Sequence, residues 1–356
     1  MLWILITQIL LGRLDAVSHA VIIDTSRLWS NYRHTTNALS FYSVVRKMGI
    51  PSHRISLLIP GDIECNARNT FPGEVFHTPS SNLYARVRAD YKGDEISRES
   101  ISRLLAGRHA PHTPRSYRLR SRPDSKLFVF LTGHSGIGFA KLQDTEEFYA
   151  VEIAELFDEM DIKERYRKML WIGDTCRAAS LHDEFYSKNI VGVGSSGNRE
   201  SSYSRHRIED LGVSVVDRFS YSAELFLNKH IVSRSNLGMS VRSFAHSDNF
   251  PRRELLSDVS TRTDLYEAED GGRLLDFISD TDEIVKASIA VGDWSAGTVG
   301  FAQNNQRSVE KSLLSRNNGI RSQFVDKADN NSVISGRYTL GITVLPILVV
   351  LAKYLG

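Results

Sequence analysis

Apolar positions along the chain fall into two alternating patterns. Ala20 to Asp24 (AVIID), Ile55 to Ile59, the run from Leu127, the run from Met169 that stops at Asp174, and Ile190 to Ser195 (IVGVGS) are short and nearly continuous. That is the pattern of strands covered on both faces. Between them apolar residues recur at helical spacing: Ala38, Phe41, Tyr42 and Val45, then a stretch near Glu99 to Leu105, then Ile153, Leu156, Phe157 and Met160. A further helix is expected over Val213 to Leu227. Gly49, Ile50 and Pro51 stop the first helix. Asp62 to about Ser97 is polar and irregular, and no internal repeat is visible. Strand and helix alternating in this way predict an α/β fold, a mostly parallel sheet with helices on both faces.

The two ends break the pattern. Leu2 to Leu11 (LWILITQILL) is apolar but too short to span a bilayer, and the small residues Ala16 and Ser18 follow it. These suit a cleaved signal peptide, although no Lys or Arg precedes the run. Tyr338 to Gly356 (YTLGITVLPILVVLAKYLG) has about the ~20 residues that a membrane-crossing helix needs, with Arg337 and Lys353 around its most apolar part. A transmembrane anchor, a cleaved lipid-anchor signal and a buried terminal helix all remain open for it; Pro346 is tolerated in a membrane helix. From Thr281 to Arg337 the apolar pattern thins. The expected plan is a signal peptide at 1–18, an α/β body at 19–285, a linker at 286–337 and a transmembrane helix at 338–356. A leader and a C-terminal span place the body in the endoplasmic reticulum lumen, as a single-pass type I membrane protein.

Composition removes several function classes. With 41% apolar and 24% charged residues the chain is ordinary for a globular protein, and a net charge of +2 gives no electrostatic case for nucleic acid. Two cysteines, Cys65 and Cys176, exclude a disulfide-stapled fold and offer no zinc motif; no metal site is assigned, a structural metal ion stays open, and the chemistry considered below requires no cofactor. Asn330 opens the sequon Asn-Asn-Ser, a candidate glycosylation site of a kind that arises often by chance.

Two strand ends carry chemistry. KMLWIGDTCRAA (168–179) delivers Cys176 just past its apolar run, and LFVFLTGHSGIGF (127–139) delivers His134 in the same way. In parallel α/β sheets reactive groups collect at the carboxyl ends of strands. A thiol attacks a carbonyl as thiolate, so it needs an imidazole to take its proton and return it to the leaving amine. Gly133, Gly136 and Gly138 let the backbone turn closely around His134. The N–H groups beside His134, at Ser135 and Gly136, and of Cys176 suit the oxyanion of a tetrahedral intermediate. The plain alternative is a core cysteine and a turn histidine. If Cys176 is the nucleophile, Cys65 is left as a free thiol or a bridge to another chain.

Longer stretches support the first reading: TSRLWSNYRHTTNALSFYSVVRKMGIP (25–51), IECNARNTFPGEVF (63–76), PHTPRS (111–116), LTGHSGIGFAKLQDTEE (131–147), GDTCRAAS (173–180) and STRTDLY (260–266). In these the chain resembles the catalytic subunits of glycosylphosphatidylinositol (GPI) transamidases, legumain-like cysteine peptidases of the C13 family. The resemblance implies a caspase-like three-layer fold over 19–285, with Cys176 as nucleophile, His134 as general base and acid, and Asn31 orienting the imidazole. It places Asp174, Ser195, Ser196 and Arg33 in the substrate cleft with Ser135 and Gly136, the plain alternative for Asp174, Ser195 and Ser196 being satisfied strand-end caps. It implies other membrane subunits as partners, one disulfide-linked through Cys65, with proproteins and GPI lipid as substrates. The alternatives it leaves are a legumain-like asparaginyl endopeptidase and a non-catalytic scaffold of the transamidase complex.

Three positions depart from the family pattern. Ser135 stands where a glycine is usual, at a cost of ~1 kcal/mol if φ there is positive. Arg177 replaces a glutamine and adds charge beside the thiol. Ile208 stands where an acid is usual, with Glu209 next to it.

Overall fold

The computed structural model describes residues 16–78, 82–85, 87–232 and 238–280. Its centre is a seven-stranded sheet in the order β3-β2-β1-β4-β8-β9-β12. The strands are β1 (Ser18–Asp24), β2 (Ile55–Ile59), β3 (Tyr91–Lys92), β4 (Lys126–Thr132), β8 (Lys168–Asp174), β9 (Ile190–Gly194) and β12 (Ser260–Arg262). All neighbours pair parallel except β12, which runs antiparallel to β9 at the edge. Every residue of β1, β4 and β8 is buried, which is why these strands read as unbroken apolar runs.

Helices cover both faces, giving three layers. Ala20, Ile22, Phe128, Phe130, Leu170 and Ile172 pack on one side with α1 (Tyr32–Lys47) and α5 (Arg218–Leu227). Val21, Ile23, Leu127, Val129, Leu131, Met169 and Trp171 pack on the other with α2 (Arg98–Ala106) and α3 (Ala150–Ile162). Short helices α4 (Ala179–His182), α6 (Val241–Phe244), α7 (Arg252–Leu255) and α8 (Leu275–Ile278) complete the layers. The chain fills one side of β1 with β2 and then crosses to β4 on the other. Strand order therefore reverses between β1 and β4, the switch point at whose carboxyl ends open α/β sheets bind their ligands.

One expected element is corrected. Val213–Leu227 is not a single helix: β11 (Val213–Asp217) pairs antiparallel with β10 (Ser204–Ile208), and α5 starts only at Arg218. Val213, Val215 and Val216 are β-branched, and their stiff side chains suit a pleated strand. A second small sheet, β5 (Ser135–Gly136), β6 (Phe139–Leu142) and β7 (Glu146–Tyr149), hangs from the end of β4. β1 begins at Ser18, so the expected boundary at residue 18 falls on its first residue. Among the described residues no helix is long and apolar enough to cross a membrane. The Leu2–Leu11 run, the linker 286–337, Asn330 and the expected span 338–356 lie outside the described residues.

Candidate active site

The register of the sheet brings the two reactive side chains to one place. β4 and β8 pair with Thr132 opposite Asp174, so His134 and Cys176 both follow two residues beyond paired positions. Cross-links tie the two exits together: Gly133 N–H donates to the Asp174 carbonyl at 3.4 Å, and the Ser135 hydroxyl donates to the Cys176 carbonyl. Gly133 cannot be replaced cheaply, because a Cβ there would lie 1.9 Å from Thr25 Oγ1. At Gly136 a Cβ would meet the far edge of the partly exposed Phe139 ring at 2.3 Å, so that ring would have to move.

Asn31 ends the 3-10 turn before α1 and reaches the histidine. Its Nδ2 donates to the Arg27 carbonyl at 2.6 Å, which turns Oδ1 toward His134 Nε2 at 2.9 Å. An amide oxygen only accepts, so Nε2 carries the proton and Nδ1 keeps the free lone pair a base requires. His34, one turn along α1, sets its buried ring edge-on to His134, centroids 4.9 Å apart at 84°. Burial first, then Arg33 and His134, holds His34 well below the ordinary imidazole value, so it stays neutral. Burial and then Arg33 also lower the pKa of His134, with Asp144 opposing and Lys141 adding to the effect.

The cysteine sits on a pinned loop. Ser195 and Ser196 hydroxyls both donate to the Thr175 carbonyl, at 3.2 and 2.9 Å, and Ala178 N–H donates to Ser196 Oγ at 3.0 Å. Both serines are fully buried, which corrects the expectation that they line the cleft: they are strand-end ties that hold the loop. Arg177, directly after Cys176, has φ of 54°, and its N–H donates to the Glu200 carbonyl at 2.8 Å. The positive φ thus falls on Arg177 and not on Ser135, and the backbone penalty expected at Ser135 does not arise. The half-exposed Cys176 thiol has the Ser202 carbonyl at 3.9 Å.

Beneath the dyad lies a buried acidic group. Asp174 accepts from Ser202 Oγ at 2.8 Å and Ser220 Oγ at 2.6 Å; burial raises its pKa. Asp217 pairs with Arg33 at 3.0 Å, accepts from Asn37 Nδ2 at 2.6 Å and lies 3.7 Å from His34. Burial, then the charge of Asp174, pushes Asp217 up to about 7 against the pull of Arg33. Asp24, at the end of β1, accepts from Ser26 N–H and Thr35 Oγ1, each at 2.8 Å, and burial pushes it up to about 7. Asp174 is therefore an enclosed carboxyl, while Arg33 is a partly exposed cation paired with Asp217. Among the described residues no His, Cys, Asp and Glu side chains converge as a metal site.

Asp217, His34 and Asn37 are site residues that the sequence reading missed. Asp217 was hidden because Val213–Leu227 read as helix. Its side chain makes no cap for α5 and turns inward instead. His34 and Asn37 lie three and six residues after Asn31, a helical spacing that could have flagged them. Cys65 stands apart, exposed and unbridged within the chain, and Ile208 ends β10 as a partly buried apolar residue.

Residues 18–250 match the model of the peptidase C13 family. The chain is 40% identical to the Saccharomyces cerevisiae GPI-anchor transamidase over 270 residues, 75% of this chain and 64% of that protein. It is 43% identical to the Schizosaccharomyces pombe GPI-anchor transamidase over 62% of this chain and 59% of that protein. With the human GPI-anchor transamidase it shares 38% identity over 70% of this chain and 63% of that protein. The chain thus spans about three fifths of the length of these relatives. Among solved structures, caspase-1 of Spodoptera frugiperda aligns over 71% of this chain and 88% of its own, with a TM-score of 0.38 and 8% identity. On the strength of the match across 18–250, which encloses Asn31, His134 and Cys176, this chain belongs to the peptidase C13 family.

Proposed function

We propose that this protein is the catalytic subunit of a GPI transamidase. The observation that carries the chemistry is the Asn31–His134 contact, which leaves Nδ1 free, with Cys176 at the matching step of the next strand. The 38–43% identity to proteins named GPI-anchor transamidase supports the substrate class.

In the proposed reaction His134 Nδ1 takes the Cys176 proton and the thiolate adds to the scissile carbonyl at the attachment site of a proprotein. The N–H groups of Gly136 and Cys176 stabilise the oxyanion. Collapse breaks the C–N bond, and the protonated His134 delivers its proton to the departing amine of the C-terminal signal. A thioester remains. The ethanolamine amine of the GPI lipid then attacks this thioester, passes a proton to His134, and displaces the Cys176 thiolate. Transfer in place of hydrolysis requires the amine at high effective concentration and water held out. Arg33, backed by Asp217 and Asp174, is the polar group at the cleft best set to contact the substrate backbone or side chain.

The remaining parts of the proposal concern context. An exposed, unbridged Cys65 suits an intermolecular disulfide to one of several membrane-bound partner subunits. A leader and a C-terminal membrane helix would place the catalytic domain in the lumen of the endoplasmic reticulum. The test supplies wild type or Cys176→Ala to microsomes lacking their own enzyme, with a reporter proprotein and hydrazine as substitute amine. Hydrazide formed by the wild type and not by the variant supports the proposal. Equal product from both would overturn it.

A further inference from the structure

The rim of the sheet opposite the dyad carries a second pocket, lined by Val17, His19, His53, Arg54, Arg120 and Arg122, with a volume of about 240 Å³. Three separate elements build it. His19 is the second residue of β1, His53 and Arg54 form the turn before β2, and Arg120 and Arg122 come from the loop before β4. β1 has seven residues, so this pocket lies roughly 20 Å from the catalytic edge at ~3.3 Å per residue.

We propose that this pocket is a binding site for a phosphate-class oxyanion. His19 lines it at 5% exposure, and its Nδ1 has no hydrogen-bond partner. A buried imidazole nitrogen without a partner is costly, and a bound acceptor would relieve it. Around it stand three guanidinium groups, whose planar forks match tetrahedral oxyanions. Two carboxylates already engage these arginines: Asp280 pairs with Arg54, and Asp124 accepts from the Arg122 fork through both oxygens, at 3.2 and 3.1 Å. Arg120 has no ion-pair partner among the described residues, so positive charge is in excess.

The electrostatics agree with the geometry. Burial, then Arg54, Arg120, Arg122 and His53, push His19 down to about 4, so it is neutral at neutral pH while the pocket is without an anion. An arriving dianion reverses that balance and lets His19 take up a proton, adding a second positive charge. Binding of an anion of fixed charge therefore tightens as pH falls, by up to tenfold per unit while His19 is taking up its proton. The phosphate group could come from a lipid headgroup or from a free anion, and the chemistry of the pocket is the same for both.

The experiment is equilibrium dialysis of radiolabelled sulfate, a dianion across the whole pH range used, against the full chain in detergent. The comparison is with an Arg120→Gln, Arg122→Gln double variant, both arginines being exposed and remote from Cys176. Saturable 1:1 binding that tightens from pH 7.5 to 5.5 and weakens at least tenfold in the double variant is expected. Alkylation of Cys176 by iodoacetamide, unchanged between the two proteins, shows that the variant is folded. Vesicle flotation then separates the sources. Retention on phosphatidylcholine vesicles containing phosphatidic acid, lost in the double variant, identifies a headgroup. Sulfate binding without retention identifies a free anion. No saturable binding, or equal binding by wild type and variant, overturns the proposal. None of these readouts depends on transamidation, so they stand or fall apart from the catalytic proposal.

Discussion

The two rims of one sheet carry opposite chemistry on the same apolar frame. At the amino ends of β1 and β2, His19, His53 and Arg54 meet Arg120 and Arg122 around an open pocket. At the carboxyl ends of β1, β4 and β8, Asp24, Asp174 and Asp217 are buried with Arg33 as their main counter-charge. The basic groups are mostly solvated, whereas each aspartate is enclosed and satisfied by hydroxyls, amides or the one guanidinium. Groups at the solvated rim are free to meet a ligand, while those at the enclosed rim set geometry and electrostatics for a few reactive atoms above them. The difference predicts that substitutions at the two rims separate cleanly in what they damage.

The largest separation should come from His134→Ala against the Arg120→Gln, Arg122→Gln double variant. Loss of the base should lower transamidation by on the order of 10²–10⁴-fold, while the basic-rim variant keeps its rate. Comparable losses from both would break the comparison. Next, Asp217→Ala should destabilise the fold by about 1–3 kcal/mol in urea unfolding, since it leaves the partly exposed Arg33 and the buried Asn37 amide without their acceptor. Asn31→Ala should lower kcat by on the order of 10–100-fold with little change in KM or stability, because only the ring tautomer and orientation are lost.

Two smaller effects concern pH. Asp24 is raised to about 7 in the fold from an ordinary value of 3.8, so the folded state binds the extra proton between these limits. Its contribution to stability is fully present below about pH 3.8 and is lost as pH rises through about 7. Asp24→Asn keeps both hydrogen-bond partners and should flatten that part of the stability profile measured by urea midpoints from pH 5 to 8. The acid limb of kcat/KM should lie below the ordinary imidazole value of 6.5, because burial and Arg33 hold His134 down. Lys141→Gln should move that limb slightly upward. A limb above 6.5 in the wild type would contradict the lowering of His134 by burial and Arg33.

Much of this arrangement was legible in the residues, for physical reasons that also explain the gaps. β1, β4 and β8 are buried on both faces, so their runs are continuous and hard to mistake, and the cysteine and histidine stand just past two of them. β11 was missed because a valine-rich strand runs without a break into the apolar face of α5, and periodicity alone does not divide them. The error concealed Asp217. Ser195 and Ser196 were placed correctly at a strand end but given a cleft-facing part, whereas their hydroxyls turn back to the Thr175 carbonyl. Side-chain direction at a strand end depends on the loop opposite, which no local pattern contains.

The central claim is that the carboxyl rim makes Cys176 a nucleophile through His134 and Asn31, and the rate of Cys176 alkylation at neutral pH tests it directly. Iodoacetamide labelling, mapped by peptide mass to separate Cys176 from the exposed Cys65, should be compared in wild type, Asn31→Ala and His134→Ala. The account predicts a rate at Cys176 that falls stepwise through the series, by about tenfold or more in His134→Ala, with Cys65 unaffected. Equal Cys176 rates in all three proteins would contradict it.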